Sequence, residues 1–134
     1  MAPALRSAVA RFALAPGSHG LDVGCGPGGV LPLLDEALQG QGAIVALDIS
    51  RPHLQRAQDE AGAFESATRC HLAQVDLKHP LPFADGAFDW CWTADTLNSE
   101  QANIERGAFP PGQRVLFWHT GGTAGVFGYG SACL

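Results

Sequence analysis

The stretch Leu21-Asp22-Val23-Gly24-Cys25-Gly26-Pro27-Gly28-Gly29 constrains this chain more than any other. A short apolar run enters four glycines, and Val30, Leu31, Leu34, Ala37 and Leu38 follow at helical spacing. The pattern predicts a strand, a tight turn and a helix. Glycine accepts positive φ and, lacking a Cβ, lets a ligand approach the backbone closely. The unpaired N–H groups that open the next helix favour a polar or anionic group. The stretch therefore reads as a nucleotide-type binding turn within a βαβ unit.

The glycines alone are weak evidence, because Gly24, Gly26 and Gly29 satisfy a G-x-G-x-x-G pattern that recurs by chance. Asp22 sharpens the reading: a carboxylate at that point of a buried strand is costly unless a donor or cation meets it. Asp48 stands nineteen residues past Gly29, near where an acid meets a ribose in a βαβ nucleotide site. One carboxylate can accept both ribose hydroxyls in charge-assisted bonds. An ordinary strand-end acid capping the next helix is the plainer explanation of Asp48.

At 134 residues the chain is long enough for one domain with a sizeable core. A net charge of −5 with no basic cluster argues against a nucleic-acid backbone as partner. The four cysteines (Cys25, Cys70, Cys91, Cys133) are far apart and contain no C-x-x-C, which reads as reduced thiols rather than a disulfide framework or a zinc site. No apolar run reaches membrane-spanning length. Residues 1–15 carry arginines, a serine and no acids, faintly like a transit peptide. Leu5, Ala8, Val9 and Phe12 fall on one helical face, however, so a helix packed on a sheet is the preferred reading. The expected location is cytoplasmic.

Along the chain, the spacing predicts a helix over 3–14 within an N-terminal segment 1–17, and a second helix that stops near Gly40. The continuous apolar run 43–47, ending at Asp48, suits a central parallel strand covered on both faces. Ser50 is a predicted N-cap with Pro52 in the first turn, of a helix that Gly62 ends. Further strands are expected at 71–75, 88–93 and 115–118, with a short helix at 98–106. Alternating strands and helices argue for an α/β parallel sheet. Residues 119–134 form a glycine-rich tail.

Leu21-Asp22-Val23-Gly24-Cys25-Gly26-Pro27-Gly28-Gly29, with Asp48 ending the second strand, resembles the first two motifs of class I S-adenosylmethionine-dependent methyltransferases. NAD-binding turns usually carry an apolar residue where Asp22 stands. Leu81-Pro82-Phe83-Ala84-Asp85-Gly86-Ala87-Phe88-Asp89 resembles the LPF-x-DGSFD segment of small-molecule members of that family, so the likeness covers residues 20–97. It implies a Rossmann-like sheet of order 3-2-1-4-5 with helices on both faces, S-adenosylmethionine as cofactor and a small-molecule methyl acceptor.

The resemblance also implies roles for particular residues. Asp22 would orient the methionine amine, the Gly24 carbonyl would accept from it, and the Cys25–Gly26 backbone would pack on the cofactor. Asp48 would take the ribose, Ile49 would cover an adenine face, Asp76 would meet the adenine amine, and the Leu77 N–H would face a ring nitrogen. For Ile49 a core position, and for Asp76 a solvated turn, explain the residue without a ligand. Thr93, Asp95 and His119 would border the methyl group at the strand tips. His119 and then Asp95 are the candidates for a general base, although a surface polar group at a strand end is the default for either. Cys25 has no His or Asn nearby in sequence to mark it as a nucleophile, and His19, His53, His71 and His79 have no metal-ligand spacing. Trp90 and Trp92 are expected to pack in the core, with Trp92 able to wall the pocket.

The likeness weakens after the fourth strand, where residues 104–113 replace the family's R-V-L-x-P-G-G. A complete member adds a helix, a sixth strand and an antiparallel seventh beyond the fifth, and the tail is too short for all three. The fifth strand would then be an open edge, completed by a second copy in a homodimer or by the tail. Three readings remain at this level: a shortened methyltransferase, a cofactor-binding module without catalysis, and an NAD-binding domain.

Overall fold

A computed structural model describes residues 3–76, 79, 81–84, 86–94, 113–118 and 124–129. Its elements are helix α1 (Pro3–Phe12), strand β1 (His19–Val23), α2 (Leu31–Ala37), β2 (Ala43–Asp48), α3 (Arg51–Gly62), β3 (Arg69–Gln74), β4 (Trp90–Ala94), β5 (Gln113–Trp118) and β6 (Ala124–Tyr129). They build one sheet of order β3-β2-β1-β4-β5-β6, parallel except for β6. The expected order 3-2-1-4-5 is the order found. Strand order reverses between β2-β1 and β1-β4, which opens the crevice where ligands of such sheets bind.

Each face of the sheet has its own apolar cluster, because successive strand residues point to opposite sides. Ile44, Ala46, Trp90 and Trp92 face the described helices, meeting Val9 and Phe12 of α1, Leu31 and Leu34 of α2, and Ala57 of α3. Leu21, Val23, Leu47 and Cys91 face the other way, beneath Leu81, Phe83 and Phe88 of the β3–β4 connection. The helix expected over 98–106 lies outside the described residues.

Strand boundaries shift by one or two residues from expectation: β5 starts at Gln113 rather than residue 115, and β3 and β4 start elsewhere for reasons of register and packing. β3 starts at Arg69 rather than residue 71, because its ladder begins opposite Ala43 and ends with Gln74 opposite Asp48. β4 starts at Trp90 rather than residue 88. Phe88 instead packs edge-on against Phe83, with ring centroids 5.0 Å apart. The Asp89 carboxylate accepts the His19 N–H at 2.8 Å and its N–H donates to the His19 carbonyl at 2.7 Å, so the residue ties the start of β1.

The open edge expected on β5 is absent. The tail supplies β6, which pairs antiparallel with the whole of β5, from Gln113↔Tyr129 to Trp118↔Ala124. The ladder is built from backbone groups alone, so it forms despite the low strand propensity of the tail's glycines. Among the described residues no helix is long and apolar enough to cross a membrane.

Candidate functional site

The C-terminal tips of β1 and β2 are joined by backbone before any side chain acts. The Cys25 N–H donates to the Leu47 carbonyl at 2.8 Å, folding the turn after β1 back against β2. Gly24, Gly26 and Gly28 have φ of 69°, 55° and 86°, a region that L side chains rarely adopt. At Gly28 a Cβ would come within 2.8 Å of the Ala57 Cα, so the missing side chain lets α3 lie against the turn. At Gly26 a Cβ would meet nothing within 4 Å. That glycine keeps open space beside the turn.

Asp48 closes the arrangement from β2. Its Oδ2 accepts the Gly26 N–H and its Oδ1 accepts the Ser50 N–H, both at 2.8 Å. Ser50 in turn caps α3, its Oγ accepting the His53 N–H at 3.3 Å, as the sequence leads one to expect. Asp48 is thus a strand-tip acid bonded both to the glycine turn and to the N–H of the residue that caps α3. An ionised carboxylate can accept about four hydrogen bonds, so each oxygen retains acceptor capacity for a further donor. Ile49, the next residue, is the exposed large hydrophobic side chain of the described surface, at 58 %. An open cradle, a carboxylate and an apolar platform in succession fit a nucleoside.

Asp22 lies in β1 opposite Ala46 and Trp92 and is 1 % exposed. It converges with Asp48 on Cys25: burial first, then the negative charges of Asp22 and Asp48, push the Cys25 thiol far above its ordinary range. Cys25 therefore stays a neutral thiol, unsuited to attack as a thiolate. Asp76 follows β3, with its Oδ2 3.8 Å from His79 Nε2. Thr93 is fully buried at the tip of β4, and its hydroxyl donates to the Val23 carbonyl at 3.2 Å, tying β4 to β1. Trp92 is buried in the helix-side core rather than at a pocket wall. Leu77, Asp95 and His119 lie outside the described residues.

Two residues at the site were not legible in the sequence. His53 Nδ1 lies 3.8 Å from Asp48 Oδ1. Gln74 Nε2 donates to the Ile49 carbonyl at 2.9 Å. Only the β2–β3 register, with Gln74 opposite Asp48, reveals the second. Among the described residues no three His, Cys, Asp or Glu side chains gather to hold a metal.

The sheet order, the glycine turn and the strand-tip acid are those of a Rossmann-like domain of the methyltransferase type. The sequence profile of the family described as "Methyltransferase domain" matches residues 21–111, and the chain belongs to that family. It is 38 % identical over 79 residues to the demethylmenaquinone methyltransferase of Bacillus cereus, covering 56 % of this chain and 31 % of that protein. The chain thus spans less than a third of that relative's length. Among solved structures, a SAM-dependent methyltransferase from Aquifex aeolicus superposes with a TM-score of 0.66 at 18 % identity, over 84 % of this chain and 62 % of its own. The [4+2]-cyclase SpnF superposes with a TM-score of 0.68 at 28 % identity, over 84 % of this chain and 43 % of its own.

Proposed function

We propose that this chain binds S-adenosylmethionine and transfers its methyl group to a small-molecule acceptor. The observation that carries the proposal is the Asp48 carboxylate, fixed by the Gly26 and Ser50 N–H groups beside a turn left open at Gly26. Asp48 would receive the ribose hydroxyls, Ile49 the adenine face, Asp76 the adenine amine, and Asp22 with the Gly24 carbonyl the methionine amine. The cofactor supplies a methyl group on a sulfonium, open to in-line displacement by a nucleophile. With so good a leaving group, this chain's contribution is to hold the donor in line and keep water out. Asp95 and His119 directly follow β4 and β5 in sequence and are the proposed bases for an acceptor that starts protonated.

The relative named for demethylmenaquinone supports a small organic acceptor, as does a net charge of −5. Free Cys25, Cys70 and Cys91 support a reducing, cytoplasmic setting. Calorimetry with S-adenosylhomocysteine and with NAD tests the cofactor: tighter binding of NAD overturns the proposal. The likeness to a [4+2]-cyclase favours a second reading, in which the domain holds its cofactor without transferring the methyl. Methyl transfer from labelled cofactor into a metabolite extract separates the two.

A further inference from the structure

We propose that Gln74 is a positioning residue for the adenine end of the site: its side-chain amide holds the Ile49 carbonyl and thereby aims the Ile49 side chain at the purine. The β2–β3 ladder ends at the Asp48↔Gln74 rung, and the Val75 N–H still reaches the Asp48 carbonyl at 3.0 Å. Ile49 lies one residue beyond β2. Gln74 Nε2, donating at 2.9 Å to the Ile49 carbonyl, adds one rung made by a side chain.

The tether matters because of what Ile49 is. With 58 % of its surface exposed, its direction is set chiefly by its backbone rather than by packing. That backbone is pinned on one side by the Asp48 contacts to Gly26 and Ser50 and on the other by Gln74. Freeing the carbonyl lets the platform turn, so part of the purine contact must be ordered on binding. Gln74 acts through Ile49 and touches no ligand itself.

The inference rests on the cofactor reading above, and the experiment keeps the two apart. Gln74→Met preserves length without the donor, and Gln74→Lys restores an N–H of similar reach. Binding of S-adenosylhomocysteine and of adenosine alone is measured by calorimetry, with thermal melts of the ligand-free proteins alongside. Gln74→Met is expected to weaken both ligands about three- to ten-fold by the same factor, the scale of one hydrogen bond, with an unchanged melting temperature. Gln74→Lys should recover most of the loss. Wild-type affinity in Gln74→Met, or a loss confined to S-adenosylhomocysteine with adenosine unaffected, overturns the inference while the cofactor reading stands. Failure of the unaltered protein to bind either ligand overturns that reading, and the inference with it.

Discussion

The Asp48 carboxylate and the Gly26 N–H meet at 2.8 Å, across the gap between the tip of β2 and the turn that follows β1. The bond links the two motifs that the sequence separates by more than twenty residues. It aims a negative charge at the part of the turn where a Cβ on Gly26 would find open space. The geometry suits a ligand that brings hydroxyl donors to the carboxylate, with room for it beside the turn.

Removing that carboxylate should therefore weaken cofactor binding. Asp48→Ala is expected to cost about 1.5–3 kcal/mol of affinity for S-adenosylhomocysteine, the scale of hydrogen bonds to a charged group. The same change leaves the Gly26 and Ser50 donors without this acceptor, so a lowered melting temperature should accompany it. Calorimetry on the folded variant reads the first effect, and unchanged affinity removes Asp48 from the ribose role.

Two glycines of one turn should respond to alanine in opposite ways. At Gly28 the new Cβ lies 2.8 Å from the Ala57 Cα and φ is 86°, so Gly28→Ala must displace α3 and should destabilise the domain by about 1–3 kcal/mol. At Gly26 φ is 55° and nothing stands within 4 Å, so Gly26→Ala should fold with a loss of only about 1 kcal/mol. Its methyl then enters the space where the proposed cofactor would lie, and binding of S-adenosylhomocysteine should fall at least ten-fold. Urea melts and calorimetry on both variants check the contrast; normal binding by Gly26→Ala would mean the cofactor lies elsewhere.

These contrasts mark how far the sequence could be read. The β1 turn, the run into Asp48 and the Ser50 cap were legible because each depends on local chemistry: positive φ, burial on both faces and a side-chain acceptor at a helix start. Gln74 and His53 were not, since their partners come from strand register and helix placement. The Thr93 bond is set by strand pairing in the same way. A strand-tip hydroxyl can face the pocket or the neighbouring strand, and here it reaches the Val23 carbonyl. The tail shows the limit of composition: glycine disfavours helix and strand alike, and only the backbone partner that β5 provides decides for a strand.

Trp90 gives a prediction about the closed end of the sheet. Its indole N–H donates to Ser18 Oγ at 3.0 Å, and its ring lies where a Cβ on Gly20 would fall, only 2.0 Å away. Gly20→Ala cannot be accommodated without moving the indole, which also meets Phe12 edge-on at 6.1 Å. The variant should lose about 2 kcal/mol or more, through overpacking and the broken Ser18 bond. Gly20→Ala should cost less in a Trp90→Leu background than in the unaltered protein, read from urea melts of all four members of the cycle; an equal cost in both would show that the clash is not the cause.

The buried thiols predict how stability changes at high pH. Burial, then the charge of Asp22, pushes Cys70 from its ordinary 9.0 up to about 11, and Cys25 is pushed higher still. Below about pH 9 the thiols are protonated in both the folded and the unfolded chain and contribute no pH dependence. As pH rises from 9 towards 11 the unfolded chain releases these protons while the folded one retains them. The folded state then binds more protons than the unfolded state, so stability must fall with rising pH. Urea melts at pH 7, 9 and 10 should show a steeper decline in the unaltered protein than in a variant carrying Cys25→Ala and Cys70→Ala. Whatever the double variant loses at neutral pH through packing, it is the difference in slope that reports the thiols, and parallel slopes would mean that both ionise in the fold as they do outside it.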